Sequence, residues 1–215
     1  EVLGQALDGG AADTGLVERL GIAPDDHRHR AASARQALAP QIGRHAGDVA
    51  VQTALGRQAR SIVEVAAYCP CGCPAVVRTA PRLPGGTPFP TSFYATCPRL
   101  TGAISTLESA GVMAEMSQRL LEDEDYAAAY RAAHEDYLAQ RRRVGELAGT
   151  GDVPEIEGIS AGGMPTRVKC LHVLVGHSLA AGPGVNPLGD ETLETISGTW
   201  TPQRCACDPA WRDAA

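Results

Sequence analysis

Aromatic residues are scarce in this chain. Two Phe, two Trp and five Tyr make up 4% of 215 residues. A core with so few rings must be filled by Ala, Val, Leu and Ile, a composition that favours helices over a large antiparallel sheet. Positive charge is also short. Nineteen Lys and Arg stand against 25 Asp and Glu, for a net charge of −6. That balance argues against a nucleic-acid binder working through a broad basic face. No run of 18 apolar residues occurs, so no membrane-crossing helix is expected. Residues 1–10 have neither a basic start nor an apolar stretch, and no secretory signal is expected. The expected compartment is therefore the reducing cytoplasm.

Glycine, proline and cysteine, by contrast, are plentiful. Gly (24) and Pro (15) predict long ordered loops between the elements. Seven cysteines are an odd number, which fits a disulfide framework poorly. Three of them fall in five residues, in the turn Cys69-Pro70-Cys71-Gly72-Cys73-Pro74. In a reducing compartment such a thiol-rich tight turn points to a metal or to redox chemistry.

Taken in order, residues 1–47 read as a variable, partly flexible extension. Gly9-Gly10, Pro24-Asp25-Asp26 and the polar run His27-Arg28-His29-Arg30 interrupt any periodic pattern there. Short helices fit Leu16–Leu20 and Ala31–Leu38, and a further helix fits Asp48–Gln58. Residues 48–200 read as a single Cys/His metal-binding domain, and residues 201–215 as a tail. Ser61–Ala67 reads as a strand that delivers the chain into the cysteine turn. Ala75–Thr79 and Ser92–Thr96 read as the next two strands. Cys97-Pro98 opens a helix with an apolar stripe from Leu100 to Leu120 and a break at Gly111. A long helix follows from about Asp123 to Leu147. A last strong helix is expected from Pro165 or Thr166 to Ala181, and a short one from Asp190 to Ile196. The expected fold class is α+β, mostly helical, with a small antiparallel β-hairpin carrying the Cys-rich turn.

The metal-ligand candidates are Cys69, Cys71, Cys97 and Cys170, with Cys73, His172 and His177 as further possibilities. Soft thiolates select zinc, copper(I) or iron–sulfur clusters. Zinc takes four ligands in a tetrahedron, often as two close pairs far apart in sequence. The Cys-x-Cys-x-Cys spacing matches a zinc ribbon only in part, and a Cys-Pro step also occurs around iron–sulfur clusters, so zinc and iron–sulfur both stay open. Cys97, at a helix N-terminus, meets unsatisfied N–H groups that favour its thiolate. On a helix spanning 165–181, Cys170 and His177 share one side but stand about 10 Å apart along the axis. On that helix His172 faces away from Cys170, and a buried, hydrogen-bonded His172 is the plainer alternative to a ligand. A second constellation is the loop Ser160–Pro165. Gly162, Gly163, Arg167 and Lys169 form an expected anion-binding group if the loop runs into a helix N-terminus. His134-Glu135 has the outline of an acid/base pair, but His134 falls in the stripe of Tyr126, Tyr130 and Leu138, which favours a core histidine. Cys205-Ala206-Cys207 reads either as an auxiliary metal clamp or as two thiols near a chain end.

Eight segments occur in order: Cys69–Gly72, Ala75–Pro84, Gly86–Thr91, Thr96–Leu100, Ala132–Leu138, Gly158–Pro165, Arg167–His172 and Gly182–Asp190. Together they resemble the actinobacterial domain of unknown function family 501, over about residues 48–200. The resemblance implies a bacterial cytoplasmic protein. It also implies a gene neighbourhood that includes a septum-formation protein and an exopolyphosphatase-like protein. It supplies no reaction. Its pattern matches Cys69, Cys71, Cys97, Cys170, His172 and His177, while Cys73 and the tail pair are particular to this chain. Three functions follow as expectations. One is a metal-binding protein with a zinc or iron–sulfur centre beside glycine loops that bind an anion. Another is a metal-dependent or iron–sulfur enzyme acting on a small anionic substrate. The third is a metal-free interaction module in cell-division or envelope biology.

Overall fold

The computed structural model describes residues 61–204 and 207. The expected helices at 16–20, 31–38 and 48–58 lie outside the described residues, as does Cys205. Strands β1 (Ile62–Tyr68), β2 (Pro74–Thr79) and β3 (Phe93–Ala95) form one antiparallel sheet in the order β1-β2-β3. β2 is the central strand and the most buried, with Val76 and Val77 almost wholly covered. β-Branched residues on both faces suit a strand that is buried on both. The β1–β2 pairing runs from Ile62 opposite Thr79 to Tyr68 opposite Pro74 and is interrupted by register shifts. Such bulges bend the strand and increase its twist on approach to the cysteine turn.

Helices α1 (Pro98–Ser109), α2 (Val112–Glu122) and α3 (Glu124–Ala148) follow. Pro98 occupies the first helical position of α1, where its missing N–H costs nothing. The break at Gly111 is real: its φ of 91° is left-handed, and the chain restarts there as α2. Asp123 caps α3 by accepting the Tyr126 N–H at 2.9 Å. Two further helices, α4 (Leu171–Ala181) and α5 (Pro187–Thr195), complete the set among the described residues. The fold is α+β, with the small sheet against one side of a mostly helical domain.

α4 is the centre of this arrangement. Leu171, Leu174, Val175 and His177 are fully covered, and Val173 and Ser178 nearly so. A helix that is apolar around its whole circumference belongs in an interior. Gly176 lets α4 approach β3 closely, since a Cβ there would stand 3.3 Å from Phe93. Gly189 does the same for α5, because a Cβ there would stand 2.3 Å from the Leu174 carbonyl oxygen.

The start of α4 differs from expectation. The helix begins at Leu171, not at Pro165 or Thr166. Residues 162–169 close on themselves instead. The Lys169 N–H donates to the Gly162 carbonyl at 2.7 Å and the Arg167 N–H to the Gly163 carbonyl at 3.1 Å. Thr166 and Val168 are β-branched and favour extended backbone over a helix start. α5 likewise begins at Pro187 rather than Asp190, with Asn186 as its cap.

The loop after α3 is held down by that helix. Arg141 donates to the carbonyls of Ile156 (2.7 Å) and Ile159. His134 is buried, with Nδ1 2.8 Å from Ser160 Oγ. Tyr137 receives the Ser92 N–H at 2.6 Å and donates to the Pro90 carbonyl at 3.0 Å, tying α3 to the start of β3. No helix among the described residues is long and apolar enough to cross a membrane.

Candidate metal centre

The turn between β1 and β2 is closed by its own backbone. The Cys69 N–H donates to the Cys73 carbonyl at 2.8 Å and the Gly72 N–H to the Cys69 carbonyl at 2.9 Å. Gly72 has a φ of 88°, a conformation that a residue with a Cβ rarely adopts. The turn therefore brings Cys69 and Cys71 to one place. Cys69 is 3% exposed and Cys71 is half-buried.

Cys207 reaches the same place from the C-terminal tail. Its Sγ stands 3.5 Å from the Cys69 Sγ. The sulfurs of Cys69, Cys71 and Cys207 all lie within 4.8 Å of one another, a separation that allows them to share an ion. In a tetrahedral zinc–thiolate site, bonds of about 2.3 Å put neighbouring sulfurs about 3.8 Å apart. Cys97, the N-cap of α1, is 2% exposed; it is not one of the three sulfurs grouped within 4.8 Å, and only its charge acts on Cys207. Burial pushes the Cys207 thiol far up from its ordinary pKa, and the neighbouring sulfurs of Cys69, Cys97 and Cys71 push it the same way. Crowded thiols resist ionising together unless a cation sits among them. Trp200, 1% exposed, anchors the chain a few residues ahead of Cys207. Cys73, 7% exposed, opens onto β2 and is not one of the three clustered sulfurs.

Cys170 and His172 fall in a different group, with Glu108 of α1. One ligand atom from each of the three lies within 4.8 Å of the others. His172 and Cys170 were expected on opposite sides of a helix. They meet because Cys170 is the extended N-cap of α4 (φ −158°), so helical spacing does not apply to it. Cys170 Sγ is 3.9 Å from His172 Nδ1, and Glu108 Oε1 is 3.1 Å from that same nitrogen. Glu108 Oε1 also accepts the Leu171 N–H at 2.7 Å, so a carboxylate already occupies the N-terminus of α4. The Cys170 contact, with help from Glu108, raises the His172 pKa to about 9 against the opposing effect of burial.

His177 belongs to a third network. Its Nε2 donates to Asp136 Oδ1 at 2.7 Å, and its Nδ1 accepts from Asn186 Nδ2 at 3.2 Å. Its ring stacks on Phe93 at a centroid distance of 5.0 Å. Burial lowers its pKa, and Asp136 opposes that only in part. Both ring nitrogens are thus engaged by side chains of α3 and the α5 cap.

Arg167 and Lys169 are exposed and lie in the loop ahead of α4, not in its first turn. Their own N–H groups close that loop onto Gly163 and Gly162. A Cβ on Gly163 would stand 2.3 Å from the Arg167 carbonyl oxygen. Two residues of these sites are not marked as ligands by any local pattern in the sequence. Cys207 was visible only as half of a tail pair, and Glu108 was one acidic residue among many on helices. No curated protein and no solved structure matches the chain. Residues 65–194, which carry the thiol turn, Cys97 and the Glu108–Cys170–His172 group, match the family described as protein of unknown function (DUF501), and the chain belongs to that family.

Proposed function

We propose that this protein binds one zinc ion through Cys69, Cys71, Cys97 and Cys207, and that this ion is structural. The observation that carries the reading is the convergence of three sulfurs within 4.8 Å of one another; Cys97 lies outside that group and is proposed as the fourth ligand for its burial and its charge interaction with Cys207. Four thiolates with no open position make a closed site of the structural kind. The Sγ–Sγ distance of 3.5 Å suits ligands of a single ion. A cubane cluster spreads its thiolates over separate irons, which favours zinc here. Zinc would tie together the β1–β2 turn, the N-terminus of α1 and the C-terminal tail. The metal-binding unit of this reading therefore reaches past residue 200, and a reducing compartment keeps its thiols available.

The test is anaerobic purification of the full chain, followed by elemental analysis and a visible absorption spectrum. A colourless protein holding stoichiometric zinc is expected, with loss of zinc in Cys207→Ser. Visible charge-transfer bands with iron in place of zinc would favour the cluster. Full folding after chelation, with neither metal bound at purification, would leave a metal-free interaction module.

A further inference from the structure

The geometry points to a second, separate metal site formed by Glu108, Cys170 and His172, open at its fourth position and taking a zinc-class divalent ion. It does not depend on the tetrathiolate reading, since it shares no ligand with it.

Three features support it. The first is donor geometry. Zinc bonds of about 2.3 Å to sulfur and about 2.1 Å to nitrogen or oxygen, at tetrahedral angles, need S–N and N–O separations of about 3.6 and 3.4 Å. The structure has 3.9 Å between Cys170 Sγ and His172 Nδ1 and 3.1 Å between that nitrogen and Glu108 Oε1. Small side-chain shifts satisfy both.

The second is the orientation of the imidazole. His172 Nε2 lies 3.2 Å from the Thr101 carbonyl oxygen, which can only accept, so Nε2 carries a hydrogen. Ser105 Oγ stands 3.4 Å from the same nitrogen. A ring nitrogen pinned to a backbone carbonyl is the usual outer support of a metal-bound histidine, because it leaves the other nitrogen free to ligate. Here that nitrogen faces a carboxylate and a sulfur. A proton on Nδ1 bridges to the carboxylate in the metal-free protein, and a divalent ion bound by the three side chains takes that proton's place.

The third is the support of the other ligands. The Leu171 N–H holds Glu108 Oε1 at 2.7 Å, and the N-cap position fixes the Cys170 backbone. All three ligands are only partly exposed, with side-chain exposures of 25% for His172 and 22% for Glu108. Three protein ligands and one free position form the arrangement that leaves room for water or a small ligand on zinc.

The experiment is zinc titration of the full chain after complete demetallation, against a competing chelator strong enough to keep a site weakened about 100-fold empty, with bound metal counted by elemental analysis. Wild type is expected to hold two equivalents. Cys170→Ser and Glu108→Gln are each expected to hold one, Cys71→Ser the other one, and Cys71→Ser with Cys170→Ser none. Wild type saturating at one equivalent that Cys71→Ser removes and Cys170→Ser retains would overturn this inference and leave the tetrathiolate reading standing. A single equivalent removed by Cys170→Ser and retained by Cys71→Ser would do the reverse. Cadmium-113 NMR of wild type covers variants that fail to fold. Two resonances are expected, one from an all-sulfur site and one from a mixed sulfur, nitrogen and oxygen site. An all-sulfur resonance alone refutes the second site.

Discussion

Gly189→Ala adds one methyl group at the closest approach of two helices. The new Cβ would stand 2.3 Å from the Leu174 carbonyl oxygen and 2.8 Å from both the Leu174 carbonyl carbon and Ser178 Cβ. Ordinary contacts need at least about 3.4 Å, so α5 must lift off α4 by about 1 Å. The obstacle is backbone at Leu174, in the fully buried middle of α4, and cannot swing aside. Overpacking of this kind costs about 1–3 kcal/mol, partly offset by the better helix propensity of Ala. The Gly189 N–H also donates to Asn186 Oδ1 at 3.0 Å, so the shift loosens the cap that holds Asn186 against His177. For a chain of this size, 1 kcal/mol moves the melting temperature by about 2–4 °C, so a fall of about 3–10 °C is expected. Thermal denaturation followed by circular dichroism measures it. The control is Gly102→Ala. Gly102 is an exposed residue of α1 with nothing within 4 Å of its would-be Cβ. There Ala relieves the helix cost of Gly and raises stability by about 0.5–1 kcal/mol. A Gly189→Ala protein melting at or above wild type would refute the packing argument.

Cys207→Ser removes one of four proposed thiolates. Structural zinc binds with about 10–16 kcal/mol, or about 2.5–4 per ligand, so affinity is expected to fall about 70- to 1,000-fold in a competition assay with a chromophoric chelator. The lowered pKa of His177 has a definite linkage sign. Below its ordinary value of 6.5 the unfolded chain takes up a proton that the folded chain refuses, so stability present above pH 6.5 is lost as pH falls. Ring-proton NMR of His177 should show it neutral through pH 6.5, and a midpoint at or above that value contradicts the burial argument. Asn186→Asp keeps the α5 cap but replaces the amide donor to His177 Nδ1 with a carboxylate. It should move the His177 midpoint upward in the same titration, and an unchanged midpoint would show that Nδ1 does not face Asn186. Arg141→Ala deprives the Ile156 and Ile159 carbonyls of their donor, and faster amide exchange over residues 150–165 than in wild type is the expected result.

Much of this protein is determined by the sequence alone, wherever a local rule decides. The three strands, the Gly111 break, the Asp123 cap and the Cys97-Pro98 helix start all follow from residue types acting within one turn of chain. The tight thiol turn is legible for the same reason, since Gly72 and two prolines leave it few other conformations. The start of α4 was decided differently. The periodic apolar residues Val168 to Leu179 suggest a helix from about 165, but the loop closes through the Gly162 and Gly163 carbonyls and the Glu108 carboxylate takes the first free N–H at Leu171. That single displacement turns Cys170 from a helical residue pointing away from His172 into a cap beside it. The partners of the thiol turn also depended on long-range folding. Cys207 stands 138 residues from Cys69 along the chain, and only the tertiary structure brings their sulfurs to 3.5 Å. The residue types that carry ligand chemistry are legible along the chain. Which of them meet was set by the packing of α4 against α1 and by the return of the tail, neither of which any local propensity encodes.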